Sequence, residues 1–136
     1  MKFSVALEGF RLAKMADGFS PDTINIYGRM LKHVLNRMGD IEMSDFTEAN
    51  LQAFWIWFRN DYVPNRSNGD KSPLTGRSLD SCWIATRSFF RWAVEEKLIP
   101  SRPDLRVKRP KYTSPVEEPF TQDELRRLIV AVKKLQ

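Results

Sequence analysis

Leu79-Asp80-Ser81-Cys82-Trp83-Ile84-Ala85-Thr86-Arg87-Ser88-Phe89-Phe90-Arg91-Trp92-Ala93-Val94 is the stretch whose reading decides the fold class. Leu79, Trp83, Thr86, Phe90 and Ala93 recur at steps of three and four, and Cys82, Phe89 and Val94 widen the same face. That is the apolar stripe of an amphipathic helix. Thr75 supplies a hydroxyl cap, and the pattern predicts a helix from Gly76 to about Lys97. The chain nowhere sustains the two-residue alternation of Val, Ile and Thr that a half-buried strand shows, so the fold is all-α.

Three further helices precede this one. Ser4 to Ala16 places Leu7, Phe10 and Ala13 near one face and stops at Asp17-Gly18, with Gly at the left-handed position. In Ser20-Pro21-Asp22-Thr23 the serine caps, Pro21 takes the first helical position and Asp22 faces the positive end of the helix dipole. The helix runs to about Met38, burying Ile24, Tyr27, Leu31, Val34, Leu35 and Met38 and exposing Asn25, Arg29, Lys32 and Asn36. Gly28 in its middle costs about 1 kcal/mol relative to Ala, accepted either for a close helix crossing or for no packing reason. The third helix, Glu48 to about Tyr62, is capped by Thr47 and buries Leu51, Phe54, Trp55 and Phe58. Between Val63 and Thr75 nearly every residue is a turn former or charged, a surface loop.

Charge is unevenly placed. Met1 to Ser101 holds 13 basic and 12 acidic residues, whereas Arg102 to Tyr112 holds Arg102, Arg106, Lys108, Arg109 and Lys111 against Asp104 alone. Pro103, Pro110 and Pro115 keep this strap from being a helix interior, so it reads as an extended linker. It is either solvated for its own sake or laid along a polyanion, where released counterions drive binding. Beyond it, Thr121-Gln122-Asp123-Glu124 is a capping box opening a helix with Leu125, Leu128, Ile129, Val132 and Leu135 on one stripe.

Composition excludes several classes. Apolar residues make up 42% of the 136, enough for one real core, which excludes global disorder. A single cysteine, Cys82, and a single histidine, His33, exclude an internal disulfide and a thiolate-built zinc site, and nearly exclude a His-based catalytic cluster. No run approaches the ~18 apolar residues of a membrane span, and the opening residues meet charge too early for a signal peptide, so a cytoplasmic protein is expected. Trp83, Phe89, Phe90 and Trp92 are expected in the core rather than as base-stacking platforms, Cys82 as a buried thiol, and His33 at the surface.

Taken in order, these pieces resemble the N-terminal, SAM-like core-binding domain of tyrosine recombinases, the phage-integrase family. Gly18-Phe19-Ser20-Pro21-Asp22-Thr23-Ile24 followed by Tyr27 is similar to the family's helix opening, and Leu74-Thr75-Gly76-Arg77-Ser78-Leu79 resembles its looser second copy. Arg87 to Pro100 is similar to the segment that ends the domain's long helix. Val107-Lys108-Arg109-Pro110-Lys111 resembles its basic linker, and Pro119 to Leu125 the opening helix of the catalytic domain. The resemblance implies a compact orthogonal bundle of four main helices over residues 1–101, a linker over 102–118 and the start of a catalytic domain over 119–136.

It also implies double-stranded DNA as partner. In the family the two capped helices cross the major groove, as other helical readers do. Carried over residue by residue, Thr23, Asn25 and Arg29 on the second helix and Arg77, Ser78 and Ser81 on the fourth become contact candidates, with Lys32 and Arg87 as phosphate candidates. Arg106, Lys108, Arg109 and Lys111 join them, because the family's linker wraps the duplex to close a clamp with the catalytic domain. The family's strand exchange proceeds through a phosphotyrosyl intermediate in a tetramer on DNA, without metal or cofactor. None of its catalytic residues is matched: Tyr27, Tyr62 and Tyr112 sit in other motifs, and no Arg lies three residues after His33. The resemblance therefore implies an inert DNA-binding portion, bound in the nucleoid, of a DNA-breaking and rejoining parent. A second reading stays open, an all-α adaptor that binds other proteins and no DNA.

Overall fold

A computed structural model describes residues 1–64 and 66–111. Four α-helices form it: α1 (Phe3–Ala16), α2 (Pro21–Met38), α3 (Glu48–Asn60) and α4 (Gly76–Glu95), with a 3-10 turn at Met43–Asp45 before α3. Among the described residues no strand forms beyond an isolated bridge between Lys2 and Glu42. The all-α bundle read from the sequence is the observed one. The helix expected from Thr121, with its Leu125 to Leu135 stripe, and linker residues 112–118 lie outside the described residues.

Local chemistry accounts for most helix ends. Ser20, Thr47 and Thr75 each accept a backbone N–H three residues on, at 3.2, 3.1 and 3.2 Å. Thr47 and Asn50 close a reciprocal capping box, the Asn50 side chain accepting the Thr47 N–H at 2.9 Å. α1 has no such local cap. Its start is capped from 36 residues away, where Asp40 accepts the Ser4 N–H at 2.8 Å and the Ser4 hydroxyl at 2.7 Å, bonds that hold the Asp40 carboxyl below its ordinary range.

Two helices end in the same device. At the end of α1 the Phe19 N–H reaches Lys14 O and the Gly18 N–H reaches Met15 O, both at 3.1 Å, with Gly18 at φ 84°. At the end of α4 Leu98 reaches Ala93 O at 2.9 Å and Lys97 reaches Val94 O at 3.0 Å, with Lys97 at φ 61°. Both are Schellman closures, one with the glycine that suits it and one without. The second closure ends α4 at Glu95, two residues before the boundary read from periodicity.

The core is aromatic and lies where α4 crosses the other helices. Phe3, Phe10, Phe46, Phe89 and Phe90 are buried and meet edge to face or tilted, with centroids 4.8 to 5.5 Å apart. Gly9 lets α1 approach α4 closely, since a Cβ there would lie 3.2 Å from Trp92 Cη2. Gly28 has no such reason; a Cβ there meets nothing within 4 Å. Trp83 and Trp92 stand half-buried at the margin of the core in which they were expected; the Trp83 indole N–H needs an acceptor and finds Val107 O at 3.0 Å there.

That bond belongs to a wider attachment of the basic strap. Pro103, Asp104 and Pro110 are buried. Arg102 pairs with Asp104 at 3.1 and 2.7 Å, and Arg106 meets Glu48 of α3 at 3.1 Å. Arg109 donates to both carboxylate oxygens of Asp80 in α4. Residues 102–111 therefore lie bound against α3 and α4 rather than extended into solvent.

Candidate nucleic-acid interface

The helices that carry the candidate contacts begin alike. In α2 the Ser20 hydroxyl donates to Thr23 Oγ1 at 2.9 Å, and in α4 the Thr75 hydroxyl donates to Ser78 Oγ at 3.2 Å. In each pair the second hydroxyl accepts from the cap and keeps its own proton for an outside acceptor, beside a helix N-terminus that favours anions. Thr23 and Ser78 are thus half-buried members of a cap. Ser81 is also engaged locally, donating to Arg77 O at 3.1 Å.

The charged candidates sit further out. Asn25, Arg29 and Lys32 are exposed along one face of α2. Thr23 lies two residues from Asn25, hence about 200° around the helix, and so does not share that face. On α4, Arg77 and Ser81 begin a stripe that continues through Ile84 and Ser88 to Arg91 at alternating steps of four and three residues. This is the side opposite the buried Leu79, Thr86, Phe90 and Ala93. Arg87 flanks it, its guanidinium 5.5 Å from the centre of the Trp83 ring.

The four candidate cations of the strap divide into two kinds. Arg106 and Arg109 are engaged by Glu48 and Asp80. Lys108 and Lys111 are exposed and make no ion pair with any described residue. Lys108 edges a recess of about 360 Å³ on α3, beside Gln52, Arg59 and Asn60. Arg109 also stands over Trp83, 5.2 Å from the ring centre, so that this indole carries guanidiniums from both α4 and the strap.

The turn between α1 and α2 links the two helix faces. Phe19, placed by the Gly18 closure, separates two shallow recesses: one with Asn25, Arg11 and Met15, the other with Arg87, Ser88 and Arg91. Between α1 and α2 a groove of about 280 Å³ is floored by Leu7, Phe10, Tyr27 and Leu31, apolar apart from its rim. It offers little to a phosphate.

Two titratable side chains complete the picture. Cys82 is buried, and burial pushes its thiol up to about 12, which leaves it unreactive. His33 is not the surface residue expected. It is half-buried, with its ring 5.2 Å from those of Phe58 and Tyr62, and desolvation first, then the Arg29 charge, lowers its pKa. Helix α3 covers it, an arrangement that its neighbour Lys32 in sequence gave no reason to expect.

Sequence reasoning missed Phe19, Lys14, Ser88, Arg91 and Asp80. Ser88 and Arg91 were legible, since they continue the helical spacing of Arg77 and Ser81. Lys14, Phe19 and Asp80 carried no local signal; tertiary packing brings them to the site. Among the described residues no helix is long and apolar enough to cross a membrane.

Comparison with known proteins gives one family match. The family described as "Phage integrase, N-terminal SAM-like domain" matches residues 11–97, which takes in α2, α3, α4 and the C-terminal part of α1. No curated protein and no solved structure matches the chain.

Proposed function

The chain belongs to the family of phage integrase N-terminal SAM-like domains, and from that premise we propose that it binds double-stranded DNA as half of a clamp around a recombination site. In this reading residues 1–101 are the core-binding domain, 102–118 the interdomain linker and 119–136 the start of a catalytic domain that performs strand exchange. The parent acts as a tetramer on DNA. The chain described here positions DNA, and the bond-breaking chemistry belongs to the catalytic domain.

The observation that carries the reading is the outer face of α4. Arg77, Ser81, Ser88 and Arg91 line up along ~21 Å of helix with no carboxylate on that stripe between them, Asp80 being buried to one side. A row of donors of that length suits a polyanion that carries one phosphate per strand for every ~3.4 Å of duplex axis. The two hydroxyl-paired helix starts add donors beside it, and Lys108 and Lys111 extend the charge along the strap. Arg106 and Arg109 act chiefly by fixing the strap to the domain.

Titration of a labelled random-sequence duplex of about two helical turns, ~21 base pairs, at a series of salt concentrations tests this. Binding is expected with log K falling linearly against log salt, at about 0.9 per neutralised phosphate. No salt-dependent duplex binding would overturn it and favour the protein-binding adaptor.

A further inference from the structure

We infer that the recess of about 430 Å³ between the C-terminal end of α1 and the outer face of α4 is a phosphate-binding subsite, formed by Lys14, Arg87, Ser88 and Arg91, that receives the backbone of duplex DNA. The inference rests on the DNA-binding reading and adds to it a place, where Lys14 joins Arg87, Ser88 and Arg91.

Lys14 forms one wall. Its side chain is only 17% exposed, held under the rings of Phe10 and Phe19, with its nitrogen 5.4 and 4.7 Å from their centres. Asp17 is the nearest carboxylate, at 4.0 Å, and Nζ makes no hydrogen bond to any described residue. The ammonium, with three protons to donate and only the exposed Asp17 carboxylate beside it, keeps donors for an anion that enters the recess.

The opposite wall supplies further donors. Arg91 pairs with Glu95 at only 3.8 Å, both side chains about two-thirds exposed, an arrangement worth little in water and readily given up to a phosphate. Arg87 is spread over Trp83, and Ser88 adds a hydroxyl between the two arginines. Three cations thus line the recess with one carboxylate, Glu95, while Asp17 stands beside Lys14 outside it.

Continuity favours a polymer over a free anion. Arg87 leads through Trp83 to Arg109 and the strap, and Arg91 through Ser88 and Ser81 to Arg77. Across Phe19 lies Asn25 of α2, so a strand seated in the recess passes between the two helix faces.

The test compares Arg91→Gln, Arg87→Gln/Arg91→Gln and Ser88→Ala with Lys2→Gln, which removes an exposed charge ~18 Å away at the other end of α1. Lys2, Arg87 and Arg91 are exposed and Ser88 is half-buried, and unchanged thermal unfolding verifies the fold. On the random duplex, the double arginine variant is expected to lower the salt slope by about 1 to 2 units, and Arg91→Lys to restore its share. Ser88→Ala should weaken binding a few-fold with the slope unchanged, and Lys2→Gln should leave both unchanged. If the wild-type protein binds with the expected slope and Arg87→Gln/Arg91→Gln keeps it, or Lys2→Gln loses as much, the subsite is wrong while the DNA-binding reading stands. If inorganic phosphate saturates amide shifts at Ser88 and Arg91 while those variants leave duplex binding untouched, the recess is a free-anion site and the inference also fails. If the wild type binds no duplex, both readings fall together.

Discussion

Arg109 Nε and Nη2 donate to the two carboxylate oxygens of Asp80 at 2.7 and 3.0 Å, joining residues 29 apart in the chain and tying the strap to the fourth helix. Asp80 is buried and Arg109 more than half exposed, so the partners are not equivalent. Removing the arginine leaves a buried carboxylate without its bidentate donor, whereas removing the carboxylate leaves an already exposed guanidinium over Trp83. Arg109→Ala is therefore expected to cost ~1 to 3 kcal/mol in urea unfolding, more than Asp80→Ala. Limited trypsin digestion should also cut Arg109→Ala faster at Arg106 and Lys108. Equal losses from the two variants, with unchanged digestion, would mean that the pair does not hold the strap.

The two mid-helix glycines should respond differently to alanine. Nothing lies within 4 Å of a Cβ at Gly28, so Gly28→Ala is expected to gain about 1 kcal/mol of stability from helix propensity alone. Gly9→Ala gains the same propensity but sets its methyl 3.2 Å from Trp92, which must move away from Phe10 and Phe89 to admit it. Thermal unfolding of the two variants should show a higher midpoint for Gly28→Ala and none for Gly9→Ala.

His33 makes stability depend on pH in a definite direction. Its folded pKa is lowered from the ordinary ~6.5, so the unfolded chain binds the proton more readily. The contribution is present above the unfolded pKa and is lost as pH falls through the depressed folded value. Stability should thus begin to fall below about pH 6.5, ahead of carboxylates such as Asp40 that titrate in more acid solution. His33→Leu should remove that first part of the decline. Denaturant midpoints measured in half-unit steps of pH decide it, and identical profiles would contradict the packing against Phe58 and Tyr62.

Base reading is expected from α2 and α4 and not from the strap. Arg77→Ala or Asn25→Ala should weaken a duplex selected from a random library by ~1 to 3 kcal/mol more than it weakens bulk random sequence, if the contact is bidentate to a base edge. Lys108→Gln/Lys111→Gln should weaken both duplexes alike and flatten the salt slope. Equal losses on the two duplexes for Arg77→Ala would assign that residue to the phosphate backbone.

Much of this protein follows from short-range chemistry and was open to reading in one dimension. Ser20, Thr47 and Thr75 cap their helices through bonds spanning three residues, Gly18 closes α1 within one turn, and the apolar steps through Leu79, Thr86, Phe90 and Ala93 repeat with the helix itself. Arg77 and Ser81 could be placed on the outer face of α4 for the same reason. Such features depend on neighbours one helical turn away, and a sequence displays those neighbours directly. The remainder depended on which surfaces meet. Asp40 caps a helix 36 residues before it, and Asp80 captures Arg109. His33 is covered by α3, and Lys14 is carried to the wall of α4 that bears Arg87 and Arg91. A basic Pro-rich segment reads as a free strap until its arginines find carboxylates, because composition records how much charge a segment carries and only packing decides which charges meet, and how far from water.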